Sequence, residues 1–182
     1  MRSILITQTK GGVGKTTLTL ALAVEASRAG LSVLVIDADS LQRSLTALMD
    51  KREADSPHIA DVGEGAVAEA LQDPQVQAYD LVLIDGAPRL TYDVRQLLET
   101  VDLVLLPIGA SPMDVEASGA IVQPVRKAGT PFAFVMNRCD ARRAVVGQVR
   151  GVLAAAYDVA PILHERADWI VAAGSGQAPC EW

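Results

Sequence analysis

Short apolar runs and longer helical patterns take turns along the chain. Residues 3–7, 32–36, 81–84, 103–107 and 132–136 are dense in Val, Ile and Leu and lack polar alternation. Such runs belong to strands covered on both faces, as in a parallel sheet. Residues 159–163 form a weaker sixth run, which Pro161 confines to an edge because proline has no N–H for an inner ladder. Residues 16–29, 93–100, 113–128 and 142–157 read as helices. The first stops at Gly30, a good C-terminal signal, whereas Pro124 predicts a kink or early end in the third. Residues 50–65 are polar, with Pro57, Gly63 and Gly65, and read as a surface connection. Strand–helix alternation of this kind predicts an α/β fold: a mostly parallel twisted sheet with helices on both faces. One domain is expected over residues 1–182, with 174–182 as a loose tail.

Lys10-Gly11-Gly12-Val13-Gly14-Lys15-Thr16-Thr17 follows the first predicted strand and opens the first predicted helix. That context makes it a phosphate loop, and the fold a P-loop NTPase. Glycines let the backbone turn tightly and aim several N–H groups at one anion, and the helix N-terminus adds its positive dipole end. Lys15 supplies charge to the β and γ phosphates of a nucleotide, and the Thr16 hydroxyl is a Mg²⁺ ligand.

Three carboxylates stand at strand ends, where ligands sit in open α/β sheets. Asp37 and Asp39 follow the second strand, their spacing putting both on one edge; one can order the Mg²⁺ shell or the loop, the other a water. Asp85 follows Leu81-Val82-Leu83-Ile84, the form in which a buried strand delivers a carboxylate toward Mg²⁺. Asn137 and Arg138 close the fifth strand; Asn137 has a donor and an acceptor for a purine edge, or is a turn-forming residue. Ser111 reads as a helix N-cap with Pro112 at the first helical position, and Asp114 as a first-turn acid favourable to the dipole.

The glycine usual at the start of a Walker A loop is replaced here by Thr9, and Lys10 stands early in the loop. This KGGxGKTT form resembles the deviant Walker A family of ParA and MinD ATPases. The resemblance covers nearly the whole chain and is strongest at residues 3–17, 33–39 and 79–88. It implies that Lys10 reaches a partner's nucleotide across a dimer interface while Lys15 acts in its own site. It also implies that Asp39 positions the attacking water, that Asp37, Asp85 and Thr16 serve Mg²⁺, and that Asn137 and Arg138 lie beside adenine. The family's DxDPQ segment is altered: Pro is absent after Asp39 and Gln42 is displaced by one, which puts the role of Gln42 in doubt. ATP and Mg²⁺ are the implied ligands, and a homodimer formed on ATP binding the implied state. The implied function is slow hydrolysis, stimulated by a centromere-binding or other adaptor protein, to partition plasmid or chromosome DNA. The alternatives are positioning of a non-DNA cargo and a metabolic ligase or synthetase.

Composition sharpens this. Half the residues are apolar and only 4% aromatic, so the core must come from Val, Leu, Ala and Ile, and a disordered chain is excluded. The net charge of -6 excludes a wholly basic nucleic-acid binder. The charge is uneven, however: residues 37–100 hold 13 acids against 5 bases, whereas 126–150 hold 6 bases against Asp140 alone. Arg126, Lys127, Arg142, Arg143 and Arg150 are therefore the candidate surface for non-specific DNA, with a solvated helical face as the plainer reading. Two cysteines are too few for a disulfide framework, and no run approaches the ~20 apolar residues that span a bilayer. The residues from 172 onward contain Gly and Pro and lack Lys and Arg, unlike a MinD-type membrane helix. The cysteine positions do not suit a cluster-bearing iron protein. The expectation is a cytoplasmic protein, nucleoid-associated when on DNA, without a membrane partner. The first strand starts next to Met1, as in the small ParA subtype without an operator-binding domain.

Overall fold

The computed structural model describes residues 1–63, 65–140 and 142–181. Among them, seven strands form one all-parallel sheet: β1 (Arg2–Ile6), β2 (Val33–Asp37), β3 (His58–Ala60), β4 (Leu81–Asp85), β5 (Leu103–Ile108), β6 (Phe132–Met136) and β7 (Asp158–Val159). Their order is β3-β2-β4-β1-β5-β6-β7. The chain builds one half of the sheet through β4 and then crosses β1 to build the other. A crevice opens at such a reversal, outside the carboxyl ends of the strands.

The helices are α1 (Lys15–Arg28), α2 (Ser44–Met49), α3 (Val67–Ala70), α4 (Pro74–Gln77), α5 (Tyr92–Thr100), α6 (Pro112–Ala128), α7 (Ala144–Ala154) and α8 (Ala167–Gly174). Alternate strand residues point to opposite faces. Leu5, Leu34, Ile36, Val82 and Ile84 pack with Val94, Leu97 and Leu98 of α5, Ile121 and Val125 of α6, and Val149 of α7. Ile6, Val33, Val35 and Leu83 pack on the other face with Leu18 and Leu20 of α1 and Leu45 of α2. The absence of polar alternation in the runs is thus the signature of two covered faces.

Four expectations are corrected. Residues 50–65 contain a strand, β3, paired to β2 with Leu34 opposite His58; its exposed His58 and Ile59 leave no apolar run to read. The run at 159–163 contributes only Val159 to the edge strand β7, with Pro161 beyond it. Helix α6 continues through Pro124 to Ala128, held by buried Ile121 and Val122 before the proline and Val125 after it. Residues 174–181 are not loose: Ala178 is buried with Leu45 and Met49, and Glu181 is ion-paired to Arg52; Trp182 lies outside the described residues.

Candidate functional site

The loop between β1 and α1 crosses the carboxyl edge at the middle of the sheet. Gly14 caps α1 at φ 87, in the left-handed region, and a Cβ there would overlap the Asn137 amide nitrogen. Only glycine meets both conditions. Asn137 Nδ2 donates to the Val13 carbonyl at 2.9 Å, and the Arg138 guanidinium donates to the Gly12 carbonyl at 2.8 Å. Asn137 Oδ1 accepts from the Arg138 backbone N–H at 2.9 Å. The end of β6 therefore fastens the phosphate loop from one side. The two residues assigned to the base by resemblance each donate one side-chain hydrogen bond to the loop and line an adjacent cavity of about 340 Å³. Lys10, Asp140, Arg143, Val146 and Glu165 also line it.

Register brings the carboxylates together. Asp37 and Asp85 are paired across β2 and β4, and Asp85 is opposite Ile6 at the end of β1. Asp85 is 2% exposed. The Thr16 hydroxyl donates to its Oδ2 at 2.6 Å, while its Oδ1 is buried with no hydrogen-bond partner. Burial pushes the Asp85 carboxyl up to about 7; the Thr16 bond opposes this, Asp37 adds to it, Lys15 opposes it and Asp39 adds to it. Burial likewise lowers the Lys15 ammonium from its ordinary value, and the charges of Asp85 and Asp39 partly restore it. A buried carboxylate oxygen without a donor is costly unless a cation meets it. Asp85 Oδ1 beside the Thr16 hydroxyl fits a hard, oxygen-seeking divalent cation such as Mg²⁺.

Asp37 and Asp39 have different surroundings. Asp37 Oδ2 accepts from the Thr46 N–H at 2.9 Å and the Thr46 hydroxyl at 3.1 Å, and its Oδ1 accepts from the Asp39 N–H at 3.1 Å. Both of its oxygens thus order the loop between β2 and α2. Asp39 is buried, with Oδ1 accepting from the Gln42 N–H at 3.3 Å. The displaced Gln42 is exposed, and the loop closes with Arg43 in the left-handed region at φ 46.

Sequence reasoning missed Thr46 and underread Asp114. Ser111 caps α6 as expected, its Oγ accepting the Asp114 N–H at 3.1 Å. Asp114 is more than a first-turn acid, because its carboxylate takes the Lys10 ammonium as an ion-pair partner and the Ser111 hydroxyl at 2.7 Å. Burial raises the Asp114 carboxyl, but Lys10 and Ser111 together outweigh it and hold the group below its ordinary value. The Lys10 side chain is still half exposed.

The basic residues do not make one cluster. Arg142 and Arg143 precede α7 at the carboxyl edge of the sheet, both close to Asp140. Arg126 and Lys127 end α6 at the opposite edge, with the Arg126 guanidinium 5.0 Å from the Tyr157 ring centre. Arg150 is exposed on α7 between these ends. Among the described residues no helix is long and apolar enough to cross a membrane.

Comparison with known proteins agrees with the geometry. Residues 4–177 match the family model described as the CobQ/CobB/MinD/ParA nucleotide binding domain. The chain is 26% identical over 195 residues to the chromosome-partitioning ATPase Soj of Thermus thermophilus, covering 86% of this chain and 77% of Soj. Its fold is similar to apo McdA from Cyanothece, at a TM-score of 0.81 and 20% identity over 100% of this chain and 92% of McdA. It is equally similar to a plasmid partition protein from Borrelia burgdorferi B31 bound to AMPPNP, at a TM-score of 0.81 and 21% identity over 97% and 90% of the two chains.

Proposed function

The chain belongs to the CobQ/CobB/MinD/ParA nucleotide-binding family, and from that premise we propose that it is a ParA-type ATPase whose hydrolysis drives the partition or positioning of DNA. Members of the ParA/MinD group are P-loop ATPases that typically dimerise and work with partner proteins. The observation that carries the reading is the open Asp85 oxygen beside the Thr16 hydroxyl, in the first turn of the helix that follows the phosphate loop.

The roles follow from the geometry. Backbone N–H groups of the loop and the start of α1 receive the phosphates, and the Lys15 ammonium, favoured by Asp85 and Asp39 against its burial, neutralises them. Thr16 and Asp85 would hold Mg²⁺, which would supply positive charge against the nucleotide phosphates. Asp37 keeps the loop in shape for Asp39, whose carboxylate orients a water toward the γ phosphate. Lys10, parked on Asp114 in the monomer, leaves it to complete a second copy's site when two ATP-loaded protomers meet. The dimer then presents Arg142, Arg143 and Arg150, before and on α7, to the DNA backbone, and an adaptor protein speeds hydrolysis and release.

The test is steady-state phosphate release with ATP and Mg²⁺, with and without non-specific duplex DNA. Slow turnover together with ATP-dependent DNA retention supports the reading; turnover indifferent to DNA, with no retention, removes the partition role.

A further inference from the structure

Helix α2 is only six residues long and has no side-chain cap. A helix that short does not hold itself in place in water. It is gripped at its start by a nearby residue and beyond its end by one 129 positions away. At its start, Thr46 binds Asp37 with both its N–H and its hydroxyl, and Asp37 in turn binds the Asp39 N–H. Beyond its end, the chain turns through Lys51 and Arg52, whose N–H groups donate to the carbonyls of Leu48 and Met49. Arg52, its side chain 5% exposed, makes a two-pronged ion pair with Glu181 at 2.8 and 2.7 Å.

Residues 176–181 fit this corner closely. Gly176 stands at φ 70, and a Cβ there would overlap the Leu48 carbonyl oxygen and lie 3.0 Å from the Arg52 nitrogen. The Arg52 guanidinium also reaches the Gly176 carbonyl at 3.2 Å, and Glu181 accepts from the Ala178 N–H at 2.8 Å. Ala178 is buried between apolar residues of α1 and α2. On the α1 side, the Arg28 guanidinium donates to the Cys180 carbonyl at 2.6 Å. The segment thus bridges the two helices that leave the two functional loops: α1, which begins at Lys15, and α2, which follows Asp37 and Asp39.

We infer that residues 176–181 set the position of the Asp37–Asp39 loop relative to the phosphate loop, with Arg52 and Glu181 as positioning residues for Asp39. The contacts run unbroken from Glu181 to Arg52, through α2 to Thr46, and from Thr46 through Asp37 to the Asp39 N–H. Neither Arg52 nor Glu181 need touch nucleotide. The catalytic part of the inference rests on the assignment of Asp39 to the attacking water; the structural part does not.

The experiment pairs hydrogen exchange with kinetics on the full chain, comparing wild type, Glu181→Gln and the conservative Arg52→Lys. Local opening speeds exchange only in the segment that opens. Glu181→Gln should speed exchange of amides 39–49 by about tenfold while amides 82–84 of β4 keep their wild-type rates. Its kcat for ATP should fall by about five- to tenfold with ATP affinity unchanged, the signature of a group positioned for the transition state. Arg52→Lys, which keeps the charge and one prong, should fall between the two in both readouts. Faster exchange at 39–49 with kcat unchanged would keep the structural link and overturn the assignment of Asp39. Unchanged exchange at 39–49 in both variants, or an equal rise across β4, would overturn the inference itself.

Discussion

The Thr16 hydroxyl donates to Asp85 Oδ2 at 2.6 Å, while Oδ1 of the same carboxylate is buried without a donor. The carboxyl, pushed up to about 7 chiefly by burial, holds a proton in the folded, nucleotide-free protein over a range where the unfolded chain has lost it. Folded protein binds the extra proton between the ordinary value of 3.8 and about 7, so this contribution to stability is present at acid pH and is lost as pH rises through about 7. Asp85→Asn should remove that slope and stabilise the nucleotide-free protein at pH 8 by roughly 2 kcal/mol, with ~4 as the ceiling for a shift of this size. Urea midpoints at pH 5, 6, 7 and 8 check it. A wild-type midpoint that rises across this range while that of Asp85→Asn rises in parallel would contradict it.

The same proton predicts a linkage to metal. At pH 6, binding of Mg²⁺ and nucleotide should release close to one proton, because a carboxylate must ionise to serve a cation. Titration calorimetry in buffers of different ionisation enthalpy measures the number. Asp85→Asn should lose the release; no release from wild type at pH 6 would place the cation elsewhere.

Lys15 is a buried ammonium at the start of α1, and among the described residues it has no ion pair with a carboxylate. Lys15→Ala should weaken ATP binding by about a hundredfold, the scale of a charge-assisted contact. Fluorescent-nucleotide titration reads this directly, and affinity within twofold of wild type would remove Lys15 from the phosphate site.

The Lys10–Asp114 ion pair joins the phosphate loop to the start of α6. If Lys10 serves a second protomer, Asp114 competes for it, and Asp114→Asn should lower the ATP concentration at which dimers form by about two- to fivefold, as expected for losing a partly exposed pair. Lys10→Ala should abolish the dimer at all ATP concentrations. Light scattering after size exclusion distinguishes them, and a normal dimer from Lys10→Ala would show that Lys10 has no role across the interface.

Arg142 and Arg143 share Asp140, and Arg126 sits over Tyr157, so the side chains differ in freedom. Neutralising Arg142, Arg143 and Arg150 together should reduce the slope of log affinity against log salt by about 2–3. An unchanged slope moves the DNA surface away from α7.

Much of this site is legible in the sequence because its chemistry is local. Glycines, lysine and threonine lie within one loop, and Asp85 ends an unbroken apolar run, so strand, turn and helix can be read without knowing the fold. What escapes reading is contact made by the fold. Lys10 and Asp114 are 104 residues apart, and Arg52 and Glu181 are 129 apart. Thr46 is only nine residues from Asp37, yet its bond depends on a loop that turns through a left-handed arginine, which no periodicity announces. Strand β3 escapes for a different reason: at an edge with exposed side chains, it buries too little to leave a pattern. The basic segment was readable as charge but not as shape, since helix direction places its arginines at opposite ends of the sheet.

ATP hydrolysis with Asp39 orienting the water is tested by phosphate release from wild type and Asp39→Ala under saturating ATP and Mg²⁺. Asp39→Ala should retain ATP at wild-type affinity yet release phosphate at least about a hundredfold more slowly, the scale of a lost general base. An Asp39→Ala protein that binds ATP and turns it over at the wild-type rate would contradict it.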